Sequence, residues 1–397
     1  MGSSGLSSAR LRRMHDVLAG QVDQGVLPGL VTVVSRHGEA AVDAIGAQAF
    51  GGTPMRRDTI FRISSMTKPV VAAAAMILVE ECRLRLDDPV DPLLPELADR
   101  RVLVSVDGPL DDTVPAARPI TLRDLLTFRP GIGLLMDELP DEPPILAAMT
   151  ERSVAVGPPQ PAAKPGDDEF LRRLGELPLM FQPGERWQYH TSAEVLGVLV
   201  ARAAGQPLET FLRDRLFGPL GMVDTAFSVP ADRIDRLAAS YLGDLPAGDL
   251  MLWDAPDGQW ATPPAFQSGT DGLVSTADDF LAFGTMLLRH GRHGGEQVLS
   301  RRSVELMTAD QLAPGQAERS GFPDLQGWGF GMSVTLHRDA VSATPGQYGW
   351  AGGLGTGWYS DPAEDMVTIL LTQRAVFPLP SPTYQDFFTL AYQAIDD

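Results

Sequence analysis

Ser65-Met66-Thr67-Lys68-Pro69-Val70-Val71-Ala72-Ala73-Ala74-Ala75-Met76-Ile77-Leu78-Val79-Glu80-Glu81 is the stretch from which the rest of the chain can be read. Its sustained apolar run predicts a helix from about Ser65 to Arg85, stopped by Asp87-Asp88-Pro89. Ser65 and Lys68 stand three residues apart, so on a helix their hydroxyl and amine share one face within hydrogen-bond reach. A serine on the first turn also meets free backbone N–H groups and the positive end of the helix dipole. Both favour an alkoxide nucleophile and the oxyanion it creates. Lys68 can act as a general base only where burial or a neighbouring cation depresses its pKa. Composition sharpens the point. Of 32 basic residues only Lys68 and Lys164 are lysine, and asparagine is absent. Lysine can shed a proton near neutrality, whereas arginine cannot.

Outward from this helix, both ends of the chain read as strands. Leu30–Ser35 and Ala40–Ile45 flank Arg36-His37-Gly38-Glu39 as a hairpin, and Gly331–Leu336, Thr356–Ser360 and Met366–Thr372 supply strands near the C-terminus. Amphipathic helices are expected at Ser8–Leu27, Thr121–Phe128, Ala193–Ala204, Leu208–Leu216 and Asp278–Leu288, with a closing helix near Tyr384–Ile395. The pattern predicts one sheet built from both termini around a helical insertion. Residues 1–79 and 205–397 are assigned to that α/β part, and 80–204 to a mostly helical subdomain. Glu138–Asp168, rich in Pro, Gly and acidic residues, reads as a solvated excursion or lid, and Lys164 falls inside it.

Several functions are excluded at this level. Fifty-one acidic against 32 basic residues give a net charge of −19, which disfavours a nucleic-acid partner. One cysteine, Cys82, excludes an internal disulfide and a cysteine-based zinc site. No segment has the length and apolarity of a membrane span, and the N-terminal helix lacks the apolar core of a signal peptide, so a cytoplasmic protein is expected. There is no G-x-S-x-G elbow and no nucleotide-binding glycine loop. His290-Gly291-Arg292-His293 lacks a partnering carboxylate pattern, so no metal and no other cofactor is expected.

The Ser65–Glu81 stretch, followed by Leu84-Arg85-Leu86-Asp87-Asp88-Pro89-Val90, resembles the serine β-lactamase/penicillin-binding-protein superfamily, above all its family VIII carboxylesterases. Ile120–Thr127, Gln182–Tyr189, Phe217–Met222 and Asp271–Ala277 are further landmarks in the same order, although the turn after the third helix reads Phe128-Arg129-Pro130-Gly131. The resemblance implies an antiparallel sheet flanked by helices, an α/β (α+β) fold, with the site between sheet and helical subdomain. It implies Ser65 as nucleophile, with Lys68 and Tyr189 as the proton-transfer pair. A phenol beside a lysine ammonium is expected to have a lowered pKa. The motif Tyr-x-Asn becomes Tyr189-His190-Thr191, so Thr191 replaces the amide that holds a β-lactam. The third motif aligns with Trp350-Ala351-Gly352, which offers apolar surface where a cation would meet a substrate carboxylate. Thr191, Trp350, Ala351 and Gly352 are therefore the implied substrate-binding residues, and the backbone N–H groups of Ser65 and Gly353 the implied oxyanion hole. Trp187, Trp350, Trp358 and the excursion are candidates for the pocket wall. The expectation is a serine hydrolase acting on small-molecule esters, with β-lactamase, D,D-peptidase, acyltransferase or a non-turning-over penicillin sensor as alternatives.

Overall fold

The computed structural model describes residues 4–134, 142–243, 250–317, 325–375 and 381–397. A 7-stranded antiparallel sheet organises it. Its strands are β1 (Gly29–Arg36), β2 (Glu39–Gly46), β3 (Gly327–Trp328), β4 (Ser333–Val334), β5 (Tyr348–Gly352), β6 (Thr356–Asp361) and β7 (Met366–Thr372). They lie side by side in the order β3-β4-β5-β6-β7-β1-β2, so the two ends of the chain meet where β7 pairs with β1.

Leu30-Val31-Thr32-Val33-Val34 in β1 is buried throughout, because helices cover both faces of the sheet. Alternation along the strand then decides which helices each residue meets. Val31 and Val33, with Ile369 and Leu371 of β7, join the core that contains Phe280 and Phe283 of helix α5 (Ala277–Leu288). Leu30 and Val34, with Met366 and Leu370, point the other way. They meet Leu18 of helix α1 (Ser8–Asp23) and Phe387 of α6 (Pro382–Gln393). On the α5 side the core continues into α2 (Thr67–Glu80), α3 (Leu122–Leu126) and α4 (Thr191–Ala204). The helix α2 is buried from Thr67 to Leu78 and packs on α4.

Three expectations are corrected. The helix expected over Ser65–Arg85 begins as a 3₁₀ turn, Ser64–Met66, that runs into α2, and it ends at Glu80, short of the expected stop, because Cys82 has φ +59° and cannot continue a right-handed helix. The strand expected over Gly331–Leu336 shrinks to Ser333–Val334, since Gly331 turns the chain at φ +74°. Of the Glu138–Asp168 excursion, residues 138–141 lie outside the described residues, one stretch is helical and not solvated loop, and a second helix begins at its end. Helix Pro144–Glu151 buries Ile145 and Met149, and helix Asp167–Gly175 buries Phe170 and Leu174. In each pair the apolar residues stand four apart, a helical spacing that the surrounding prolines and glycines disguise. Among the described residues no helix is long and apolar enough to cross a membrane.

Candidate active site

Ser65 sits on the turn that opens α2, and that turn is held from several sides. The Ile63 carbonyl accepts from Met66 N–H at 3.1 Å and from Thr356 Oγ1 of β6 at 3.0 Å. Ile63 N–H donates to Leu273 O at 3.0 Å, and Leu273 N–H to Thr67 Oγ1 at 3.2 Å. β5 lies along the same turn. Its partner β4 pairs only with Tyr348 and Gly349, so Trp350–Gly352 runs beyond it as an edge. A Cβ at Gly352 would collide with the Ile63 carbonyl and the Thr356 hydroxyl, so only glycine lets β5 approach the turn this closely. Ala351 and Gly353 are half-buried on either side of buried Gly352.

Three non-glycine residues with positive φ flank the site: Ser64 (+46°), Phe128 (+59°) and His190 (+82°). Strained backbone of this kind persists where surrounding structure holds it, and it clusters at functional sites. Ser65 itself is 8% exposed.

Lys68 Nζ lies 2.8 Å from Ser65 Oγ and donates to Thr270 O at 3.1 Å. Its side chain is wholly buried, and burial pushes its pKa down to about 7, against the upward pull of Asp271 and Glu194. The ammonium stands over the Tyr189 ring, 4.5 Å from its centroid. The Tyr189 hydroxyl hydrogen-bonds Ser65 and accepts from Trp350 Nε1 at 2.6 Å. Here the expected lowering of the phenol pKa is corrected. Burial raises it well above the ordinary range and outweighs the hydrogen bonds to Ser65 and Trp350, which pull it down. Near neutral pH the proton of this pair is therefore labile on the lysine and fixed on the tyrosine.

Behind Lys68 lies a buried network of charges. Glu194, one turn into α4, pairs with Lys164 and accepts from Ser268 Oγ at 2.8 Å. The same Ser268 hydroxyl lies 2.7 Å from Asp271 Oδ1. A Cβ at Gly269 would strike the Ala193 carbonyl, so glycine there lets the 268–271 loop lie flush on α4 and brings Asp271 to Glu194. His190 Nε2 is 3.6 Å from Glu194 and 4.0 Å from Asp271, and burial lowers its pKa, which keeps the ring neutral. His190, Glu194 and Asp271 place ligand-type atoms within 4.8 Å of one another. Lys164 and Ser268 already occupy both Glu194 oxygens and one of Asp271, so the set fits an ion-pair network rather than a cation site.

The structure brings Ser65, Lys68, Tyr189 and Trp350 together. Trp350 does more than offer apolar surface, since its N–H holds the Tyr189 hydroxyl. Trp187 and Trp350 cluster with Phe128, Tyr189 and Trp328 in one aromatic group beside the site. Thr191 heads α4 but is 1% exposed, and its hydroxyl has no hydrogen-bond partner among the described residues. Trp358 is not pocket wall. It is fully buried, packed against Phe280 and Phe283 of α5. Lys164 is not a solvated loop residue either: its side chain is 16% exposed and lies 5.4 Å from the Phe266 ring centroid. Sequence reading missed Glu194, Ser268 and Asp271 as neighbours of Lys68. The one signal that pointed to them was Lys164, the second of two lysines in an arginine-dominated chain.

A serine on a helix-opening turn, with a buried lysine and a tyrosine on its oxygen, is the nucleophile-and-base arrangement of a serine-hydrolase-type enzyme. The Beta-lactamase family profile matches residues 14–388, and the chain belongs to that family. An uncharacterized protein of Mycobacterium tuberculosis is 40% identical over 89% of this chain and 87% of its own length. Esterase EstB of Burkholderia gladioli is 34% identical over 90% and 88%. Among solved structures, EstCE1, a hydrolase with promiscuous acyltransferase activity, superposes with a TM-score of 0.78 at 25% identity, covering 98% of each chain.

Proposed function

We propose that this protein is a carboxylesterase of the family VIII type, cleaving small neutral esters through an acyl-enzyme on Ser65. The observation that carries this reading is the 2.8 Å contact between Ser65 Oγ and a fully buried lysine whose pKa lies near 7. Neutral Lys68 takes the Ser65 proton as Oγ attacks the ester carbonyl and the C=O π pair moves onto oxygen. The backbone N–H groups of Ser65 and Gly353 hold that oxyanion. The tetrahedral intermediate collapses, the C–O bond to the alcohol breaks, and the alkoxide takes back the proton from Lys68 with the Tyr189 hydroxyl as carrier. Water then repeats the sequence on the acyl-enzyme, releasing the acid and restoring Ser65. The apolar edge Trp350-Ala351-Gly352 favours short or medium neutral acyl groups, because nothing on it pairs with a substrate carboxylate. No Tyr-x-Asn amide is present either, which argues against a β-lactam as substrate.

Acyl transfer is the second reading. EstCE1's combination of hydrolase and acyltransferase activity supports it, since the same acyl-enzyme yields to an alcohol acceptor in place of water. Intact mass after a fluorophosphonate or a p-nitrophenyl ester tests the common step. Wild type should gain one adduct and Ser65→Ala none; equal labelling of Ser65→Ala overturns the assignment. Adding an alcohol acceptor and detecting the transferred ester separates the two readings.

A further inference from the structure

We infer that Lys164 is a positioning residue for the base: by occupying Glu194 it keeps that carboxylate from holding Lys68 as an ammonium. The inference rests on the proposed role of Lys68 and concerns a residue more than ninety positions away in sequence.

The geometry is as follows. Lys68 Nζ is bound to Ser65 Oγ and to the carbonyl of Thr270, the residue before Asp271. The groups facing it are Ser65 and the Tyr189 ring, Glu194 and His190 from around the start of α4, Asp271 from the 268–271 loop, and Lys164. Glu194 and Asp271 are both buried, at 1% and 4% exposure, and share the Ser268 hydroxyl. Two buried carboxylates around one buried lysine would make its ammonium the favoured state, and an ammonium cannot take a proton from Ser65. Lys164 alters that balance. Its ammonium bonds Glu194 directly and is itself largely shielded from water by Phe266. The set then holds Lys164 with Glu194 as one pair and leaves Asp271 as the single unpaired carboxylate facing Lys68. Burial opposes ionisation of Glu194, yet the Lys164 ammonium holds its carboxyl below the ordinary range, so the pair is ionised. Lys164 also repels a proton on Lys68 directly. His190, neutral and buried, adds no charge to the count.

The test is the pH profile of kcat/KM for p-nitrophenyl acetate in the full chain. Lys164→Met removes the cation and leaves Glu194 facing Lys68, so the acid-limb midpoint should rise by about one pH unit, with about tenfold less activity on the limb. Lys164→Arg keeps the charge and should hold the wild-type midpoint. Lys164→Met combined with Glu194→Gln removes the pair together, leaves Asp271 alone against Lys68 as before, and should return the midpoint to within about 0.3 unit of wild type. An unmoved midpoint in Lys164→Met overturns the inference. A raised midpoint that persists in the double variant also overturns it, because lost packing and not charge would then be the cause. If Lys164→Met fails to fold, the double variant and Lys164→Arg still decide: a displaced midpoint in either one is fatal. Lys68→Met separates this from the broader reading. If its residual activity keeps the wild-type acid limb, Lys68 is not the base and both ideas fall. If that limb disappears while Lys164→Met leaves the midpoint unmoved, only the role of Lys164 is lost.

Discussion

Lys68 gives up its proton more readily in the fold than in water, and two pH dependences follow from that single property. Its folded pKa of about 7 lies below the ordinary lysine value of 10.5, chiefly through burial. Between those two values the unfolded chain binds a proton that the folded chain does not, so this residue's contribution to stability rises with pH across the window. Below about pH 7 both states are protonated and the burial penalty stands in full. Urea unfolding of wild type and Lys68→Met should therefore show a difference that shifts in favour of wild type as pH is raised from 7 to 10. A pH-independent difference would mean that Lys68 keeps its charge in the fold. On the proposed mechanism activity should rise with a midpoint near pH 7 and level off above it, because there only neutral Lys68 accepts the Ser65 proton. Tyr189 stays protonated throughout, its phenol raised by burial, and so has no part in the acid limb. The spacing Ser65-x-x-Lys68 was enough to pair these two residues from sequence alone. The state of the tyrosine was not legible there, because burial and a neighbouring cation push a phenol in opposite directions and only packing decides between them.

At the scale of elements, the candidate site is a junction between the Ser64–Met66 turn and the edge of β5. Gly352 is the contact point, since any side chain there meets the Ile63 carbonyl and Thr356. Gly352→Ala should push β5 off the turn and cost about 1–3 kcal/mol by overpacking. The same displacement carries Gly353 away from Ser65, and a misplacement on the order of 1 Å costs about a hundredfold in rate. Gly157→Ala is the matched control, because a Cβ there meets nothing within 4 Å. Comparable kcat/KM for Gly352→Ala and Gly157→Ala would remove β5 from the reacting centre. Glycines stand at 352, 353, 355 and 357, but which one is obligatory depends on what lies opposite. The same distinction explains Trp358 and Lys164. A tryptophan near a catalytic strand and a lysine in a Pro/Gly-rich stretch look respectively functional and idle in sequence. The alternation of β6 sends Trp358 into the core, and helix Asp167–Gly175 anchors the segment that delivers Lys164 to Glu194.

Across the whole molecule, the sheet separates two apolar clusters that do different work. The larger one, under α2, α4 and α5, carries the site; the smaller one seals the opposite face with α1 and α6, the first and last helices of the chain. That division was readable in outline, because strand patterns at both ends of the sequence require a shared sheet and the terminal helices must cover its outer face. Leu18 of α1 and Phe387 of α6 are both fully buried in that outer cluster. Leu18→Ala removes part of the seal and leaves a cavity, for an expected loss of about 2–5 kcal/mol in urea unfolding. Ser65, Lys68 and Tyr189 have no contact with this cluster, being separated from it by the sheet. The kcat/KM of the folded fraction should therefore stay within about twofold of wild type, since distant sites with no shared partners behave independently. A fall in kcat/KM that tracks the fall in stability would show instead that sheet and site move as one unit, and that the outer helices help to hold the Ser65 turn against β5.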